Sequence, residues 1–340
     1  MTEKQLKELL EKFAPVVREA ILAGLREIRD DAVLSEIIRM IERGDEQAVL
    51  RALGYNPAVF SGYYVAMLQT FEGGGLALIA GLPKYATDRD GVKTVMRFNV
   101  RDRAAEDWLR ERSSGLVSEI GEDIRQAVRA TLQRGQREGR NPRNVALDLV
   151  GRVNRETGRR EGGTVGLTAG QIQWAESARQ KLLTLDSGYF DMGLRDKRFD
   201  NIVRKAIESD RPLSPDVVQK LVGRYEDNAL KHRGEMIGRT EALAALNRSE
   251  YEATRQALAQ SDLPLAAAHK IWDSAGDSRV RDSHREMDGQ RVAIDEPFVS
   301  PVTGARMMHP HDMSLGAPPA ETIACRCRIR YDIDFGYGVE

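Results

Sequence analysis

The chain has 340 residues, with 51 basic and 52 acidic side chains and a formal net charge of -1, so no whole-chain field draws it onto nucleic acid or an anionic membrane. Hydrophobic residues make up 41% and charged residues 30%, which excludes global disorder and suits two domains, or one domain with a long extension. Aromatics are only 6%, and the abundance of Leu, Ala, Arg and Glu favours helices. The longest apolar run, GLALIAGL at Gly75–Leu82, falls far short of the ~20 residues that span a bilayer. The opening MTEKQLKELLEKF reads as an acidic amphipathic helix and not a signal peptide. The expectation is a soluble protein made in a cytoplasm. Cys325 and Cys327 are the only cysteines; a disulfide between residues two apart is strained, which argues against a secreted disulfide scaffold.

In chain order, residues 3–50 read as helices. Leu6, Leu9, Leu10, Phe13, Val17, Ile21, Leu25 and Ile28 form one apolar stripe at three- and four-residue steps. Thr2 and Gln5 suit a capping box, and Pro15 predicts a break or kink. Asn56-Pro57 marks a turn before a helix over 58–71. Gly73-Gly74-Gly75 then predicts a bend or a close backbone approach. Residues 84–98 lack a period and contain a turn-like Asp88-Arg89-Asp90-Gly91. A long helix is expected over 103–133 and a shorter one over 141–157, after Asn141-Pro142. The stretch RREGGTVG at Arg159–Gly166 is the best linker candidate. Helices resume after Thr168, which with Gln171 suits a second capping box, and run with interruptions to about Gln260. Pro212 and Pro215 mark one loop among them. Beyond Ser261 the chain turns rich in Gly, Pro, Asp and Ser, with β-like runs at 291–294 (RVAI) and 327–333 (CRIRYDI). The fold class expected is a mainly α N-terminal body with a small C-terminal α+β module. The segments are a helical extension at 1–83, helical regions at 84–160 and 161–260, and a compact α+β module at 261–340.

Chemistry-bearing residues concentrate in two places. The string WDSAGDSRVRDSHREMDGQRVAIDEPF at Trp272–Phe298 holds Asp273, Asp277, Asp282, His284, Asp288 and four arginines; His309, His311 and Asp312, then Cys325 and Cys327, follow. Zn²⁺ accepts mixed nitrogen and sulfur ligands, so Cys325, Cys327 and His284, with His309 or His311, form one candidate site. The alternative is a module held by a polar network of Asp277, Arg279, Arg281 and Asp288, with two buried cysteines acting as small hydrophobes. The second place is residues 134–160, with eight arginines against three acids. Arg152, Arg155, Arg159 and Arg160 are its nucleic-acid-binding candidates, against the reading of a solvated face, which the lack of interleaved aromatics favours. In RGEMIGRTEALAALNR (Arg233–Arg248), Met236, Leu243 and Leu246 are expected to pack inward with the charges solvated, and spacing gives Glu241 no catalytic role. No P-loop, dinucleotide fingerprint, zincin motif or nucleophile elbow is present.

The ordered strings WDSAGDSRVRDSHREMDGQRV, EPF and ACRCRIRY, preceded by IGRTEALAALN, resemble the C-terminal signature of the phage Mu F-like head-morphogenesis (minor capsid) family. The tight resemblance covers Arg233–Tyr331 and a looser one reaches back to about Val95. Within it, Asp277, Arg279, Arg281, His284, Asp288, Gly289, Cys325 and Cys327 fall on the family pattern, while PVTGARMMHPHD resembles a more variable insertion. The resemblance implies a non-catalytic virion protein in a few copies, bound at the portal vertex inside the capsid after assembly in the host cytoplasm. It would act in procapsid assembly, DNA packaging or genome ejection. Implied partners are a portal protein, a major capsid or scaffold protein, and genome DNA. The alternative is a metal-dependent nuclease or delivered effector using His284 and Asp288, although HxxxD with CxC lacks the paired carboxylates of a two-metal nuclease.

Overall fold

The computed structural model describes residues 1–87 and 92–337; the turn expected at Asp88–Gly91 lies outside them. The first helix, α1, is Glu3–Asp30. Its capping box forms, with Gln5 Oε1 accepting from the Thr2 amide at 2.9 Å and Thr2 Oγ1 from the Gln5 amide at 3.3 Å. Pro15 lies inside α1 without ending it. The ring removes one ladder hydrogen bond, but Phe13 and Val17 on either side are buried, and that anchorage carries the helix through. Next come α2 (Leu34–Glu42), α3 (Glu46–Ala52) and α4 (Ser61–Ala80). The glycine triplet sits within α4 and marks close approach rather than a bend. A Cβ would lie 2.7 Å from the Phe13 ring at Gly73, 2.2 Å from Ser249 Oγ at Gly74, and 2.2 Å from the Phe98 ring at Gly75.

The periodless stretch holds a short antiparallel pair, β1 (Ala86–Thr87) and β2 (Lys93–Thr94). The long helix follows as α5 (Arg103–Arg137). The next, α6 (Pro142–Val150), starts at an Asn141 cap and stops at Gly151 with φ 84. Its expected continuation to 157 is instead an antiparallel pair, β3 (Arg152–Val153) and β4 (Arg160–Glu161). At Gly151 the positive φ already disfavours a side chain, and a Cβ there would meet the Gly162 carbonyl at 2.5 Å.

The linker reading of RREGGTVG is corrected: Gly162–Gly166 is buried. The Arg29 guanidinium donates to the carbonyls of Gly162, Gly163 and Val165, Glu226 accepts from the Gly163 amide at 2.7 Å, and Asp227 accepts from the Gly162 amide at 2.8 Å. This is backbone outside any strand or helix: its Thr164 and Val165 amides donate to the Asp148 and Leu149 carbonyls of α6 at 2.9 and 3.0 Å, and charged side chains meet its other polar groups. Thr168 and Gln171 then form the second capping box at the start of α7 (Ala169–Leu183). Two further helices follow: α8 (Asp200–Glu208) and α9 (Pro215–Gln260), which has 46 residues.

The C-terminal part contains β5 (Ala268–Asp273), α10 (Asp282–Glu286), β6 (Arg291–Ala293), β7 (Phe298–Val299), β8 (Arg306–Met307), α11 (Pro319–Thr322) and β9 (Arg328–Ile333). The two β-like runs become β6 and β9, and both pair antiparallel with the unforeseen β5 between them. A separate hairpin joins β7 and β8. It places Phe298 and Met307 in the module core with Trp272, Met287 and Ile329, so the PVTGARMM stretch is built into that core.

The chain forms two compact units that interleave in sequence. One comprises 1–20, 62–113 and 235–340; the other comprises 21–61 and 114–234. Punctuation in the sequence suggested boundaries at 83, 160 and 260, whereas these units cut the chain after 20, 61, 113 and 234. The first unit buries Leu6 against Leu243 and Leu246 and contains the C-terminal module. The second has a core of Ala175, Leu182, Tyr189, Val203, Leu221 and Tyr225. Among the described residues, no helix is long and apolar enough to cross a membrane.

Candidate functional site

The richest cluster lies inside the C-terminal module. His284 sits in the short helix α10, buried to 1% exposure. The segment Cys325–Cys327 immediately precedes β9, and both cysteines are buried. Residues two apart in extended backbone face the same way. Here Cys325 and Cys327 face His284, while Arg326 between them reaches Asp277. The loop is held from α9: Thr240 Oγ1 accepts from the Ala324 amide at 3.2 Å, and Asn247 Nδ2 donates to the Cys327 carbonyl at 3.4 Å.

His284 Nδ1 stands 3.5 Å from Cys325 Sγ and 3.4 Å from Cys327 Sγ. The three donor atoms lie within 4.8 Å of one another. On the far side of the ring, Nε2 is 2.8 Å from Glu321 Oε2, whose carboxylate also accepts from Ser283 Oγ at 2.9 Å. Trp272 packs edge-on against the imidazole, with ring centroids 5.2 Å apart. Burial pushes the Cys325 thiol well up, while the hydrogen bond from Cys325 lowers the Cys327 thiol, helped by His284.

His309 and His311 do not join this cluster. Each is buried, with Nδ1 on a backbone carbonyl: Pro310 for His309 and Thr322 for His311, both at 2.9 Å. Burial lowers both imidazoles, so both are neutral near pH 7. Glu321 was not foreseen. It sits in the short helix α11, within PPAET, where nothing in local pattern marks an acid as buried, and a search for a carboxylate behind the histidine is the signal that would have found it.

Asp277, Arg279, Arg281 and Asp288, the residues of the expected polar network, each make polar contacts. Asp277 makes two hydrogen bonds of 2.5 Å to Arg326, which hold its carboxyl well below the usual range. It also accepts from the Arg279 amide at 3.0 Å, while the Arg279 side chain, 80% exposed, only comes within 3.6 Å. Arg281 donates to the Ile323 carbonyl, and Asp288 accepts from the Ser274 amide at 2.8 Å. Asp288 and His284 thus serve separate contacts.

The arginine-rich stretch divides in two. Arg134, Arg140 and Arg152 converge on buried Asp148, and Arg160 donates to the carbonyls of Gly151 and Ala32 at 3.2 and 3.3 Å. Arg137, Arg143, Arg155 and Arg159 are exposed. Glu241 corrects the solvated-face reading of its helix: it is buried and takes two 2.8 Å hydrogen bonds from Arg112 and one of 3.0 Å from Tyr63.

Residues 208–330, a little over a third of the chain, match the family described as Phage Mu protein F like protein. The match spans α9 and the whole His284–Cys325–Cys327 cluster. No curated protein and no solved structure matches the chain.

Proposed function

We propose that this chain, whose residues 208–330 match the Phage Mu protein F like family, is a phage head-morphogenesis protein, a minor capsid protein held at the portal vertex inside the head. In this reading it acts in procapsid assembly, packaging or ejection without catalysing a reaction. The observation that carries the reading is the family match over 208–330. The structure supports a structural role for the matched segment: its signature residues hold the fold together, within the segment and to α4 and α5. Glu241 binds Arg112 and Tyr63, Asp277 binds Arg326, and Thr240 supports the turn before Cys325.

The nuclease alternative needs His284 and Asp288 on one exposed metal. Buried His284 faces two sulfurs and Glu321, whereas Asp288 accepts from a backbone amide, which favours the structural reading. For docking, exposed Trp174, Leu183 and Ile202 of the second unit offer apolar contact. Co-expression with the cognate portal protein should give a co-purifying complex, and virions should contain the chain. Absence from both would end the portal reading.

A further inference from the structure

We propose that His284, Cys325 and Cys327 bind a single Zn²⁺ that staples the C-terminal module, with Glu321 positioning the histidine. The spacing of the donors is the first argument. Zn–S bonds near 2.3 Å and Zn–N bonds near 2.0–2.1 Å, at a tetrahedral angle, place nitrogen and sulfur about 3.6 Å apart. The two distances here are 3.5 and 3.4 Å, both to the same ring nitrogen. A disulfide is not formed, and both cysteines are free.

The second argument is the opposite edge of the imidazole. A ligating histidine characteristically gives its other N–H to a carboxylate, which fixes tautomer and ring orientation. Glu321 stands 2.8 Å from Nε2 in a close contact that is not aligned as a hydrogen bond, is itself buried, and is anchored by Ser283. This arrangement directs Nδ1 at the two sulfurs. A buried carboxylate behind the imidazole suits a ligating histidine, whereas two thiols acting only as hydrophobes give no reason for one.

The third argument is what the ion would join. Cys325 and Cys327 lead into β9, and His284 comes from α10, 41 and 43 residues away. The module's sheet has three short strands around a core of few large side chains. A metal crosslink between these segments supplies stability that such a small core lacks. All three donors are buried, which keeps substrates from the cluster and makes the ion's role structural. Binding releases the protons of the thiols, and affinity rises with pH.

The test uses the full chain, purified under reducing conditions without chelator. Elemental analysis should find about one zinc per chain. Chelator-stripped protein titrated with Co²⁺ should develop the visible bands of tetrahedral cobalt and a thiolate-to-cobalt charge-transfer band. Cys325→Ser and Cys327→Ser should each lose that band's intensity. Glu321→Gln should keep the band but weaken metal affinity about 10–100-fold. Should a cysteine variant fail to fold, the titration of the unaltered chain still decides. Folded protein that carries no zinc and gives no charge-transfer band overturns the proposal, as does a band that survives loss of both thiols. Neither result bears on portal docking, so the two readings fail separately.

Discussion

Glu241 shows how a charged side chain can look solvated in sequence and be structural in the fold. It is buried on α9, with Arg112 gripping both carboxylate oxygens and Tyr63 adding a third hydrogen bond. Burying a charge is tolerable when it is paired, and removing one partner typically costs 3–5 kcal/mol. Arg112→Ala should therefore lower stability by ~3 kcal/mol in urea unfolding, and Arg112→Met combined with Glu241→Leu should lose clearly less. Equal losses would mean that the carboxylate is not what Arg112 stabilises. Lys270 poses the same problem with the opposite charge. It is fully buried in β5, donates to the Met308 carbonyl at 2.8 Å, and lies over the Tyr251 and Phe298 rings. Burial lowers its amine to about 7, against the partial support of Asp312 and Asp295. Between about 7 and its unfolded value of 10.5, the unfolded chain binds more protons than the folded one, so this group makes stability rise with pH and lose that gain as pH falls through 7. Lys270→Met should flatten that rise relative to the unaltered chain. An unchanged difference across pH 7–10 would show that Lys270 stays charged in the fold.

At the scale of elements, the α4 glycines separate space from propensity. Gly74 has Ser249 Oγ 2.2 Å and the Leu246 Cα 3.3 Å from where a Cβ would sit, whereas Gly62, in the first turn of the same helix, has nothing within 4 Å. Gly74→Ala should cost about 1–3 kcal/mol by overpacking. Gly62→Ala should be neutral or stabilising by up to ~1 kcal/mol, and a thermal melt of each variant reads the sign. The contrast bears on what sequence can reveal. Helical periodicity placed α1, α5, α7 and the end of α9, because amphipathic stripes and caps such as Thr168 with Gln171 are local signals. Strand β5 escaped because Lys270, at a core-facing position between Ala268 and Trp272, breaks the alternation that announces a strand. RREGGTVG read as a linker because glycines imply exposure on average. Here they fit backbone into a buried passage whose polar groups are met by α6 carbonyls and by Arg29, Glu226 and Asp227, partners that sequence distance hides. The candidate cluster was legible as residue types, His284 with Cys325 and Cys327, but the roles of Glu321 and Arg326 depend on a tertiary fold that brings distant turns together.

For the whole molecule, two compact units made from interleaved stretches could not be read from punctuation, because long helices such as α1, α5 and α9 contribute residues to both without any break in their pattern. Charge at this scale is nearly balanced, at -1, so any hold on genome DNA must come from a local patch. The sequence offers the eight arginines of residues 134–160, but the fold has already engaged four: Arg134, Arg140 and Arg152 on Asp148, and Arg160 on backbone carbonyls. Only Arg137, Arg143, Arg155 and Arg159 remain exposed. Each phosphate neutralised contributes roughly -0.9 to the slope of log affinity against log salt on duplex DNA. Replacing these four with Ala should therefore flatten the slope by no more than about 3.6. Arg155→Ala with Arg159→Ala should account for about half of that, with stability moving by less than ~0.5 kcal/mol. Arg152→Ala should instead weaken the Asp148 cluster, lowering stability while changing the salt slope little. A larger flattening than the four exposed charges allow, or a slope carried by Arg152 and Arg160, would show that the Asp148 cluster opens to bind DNA.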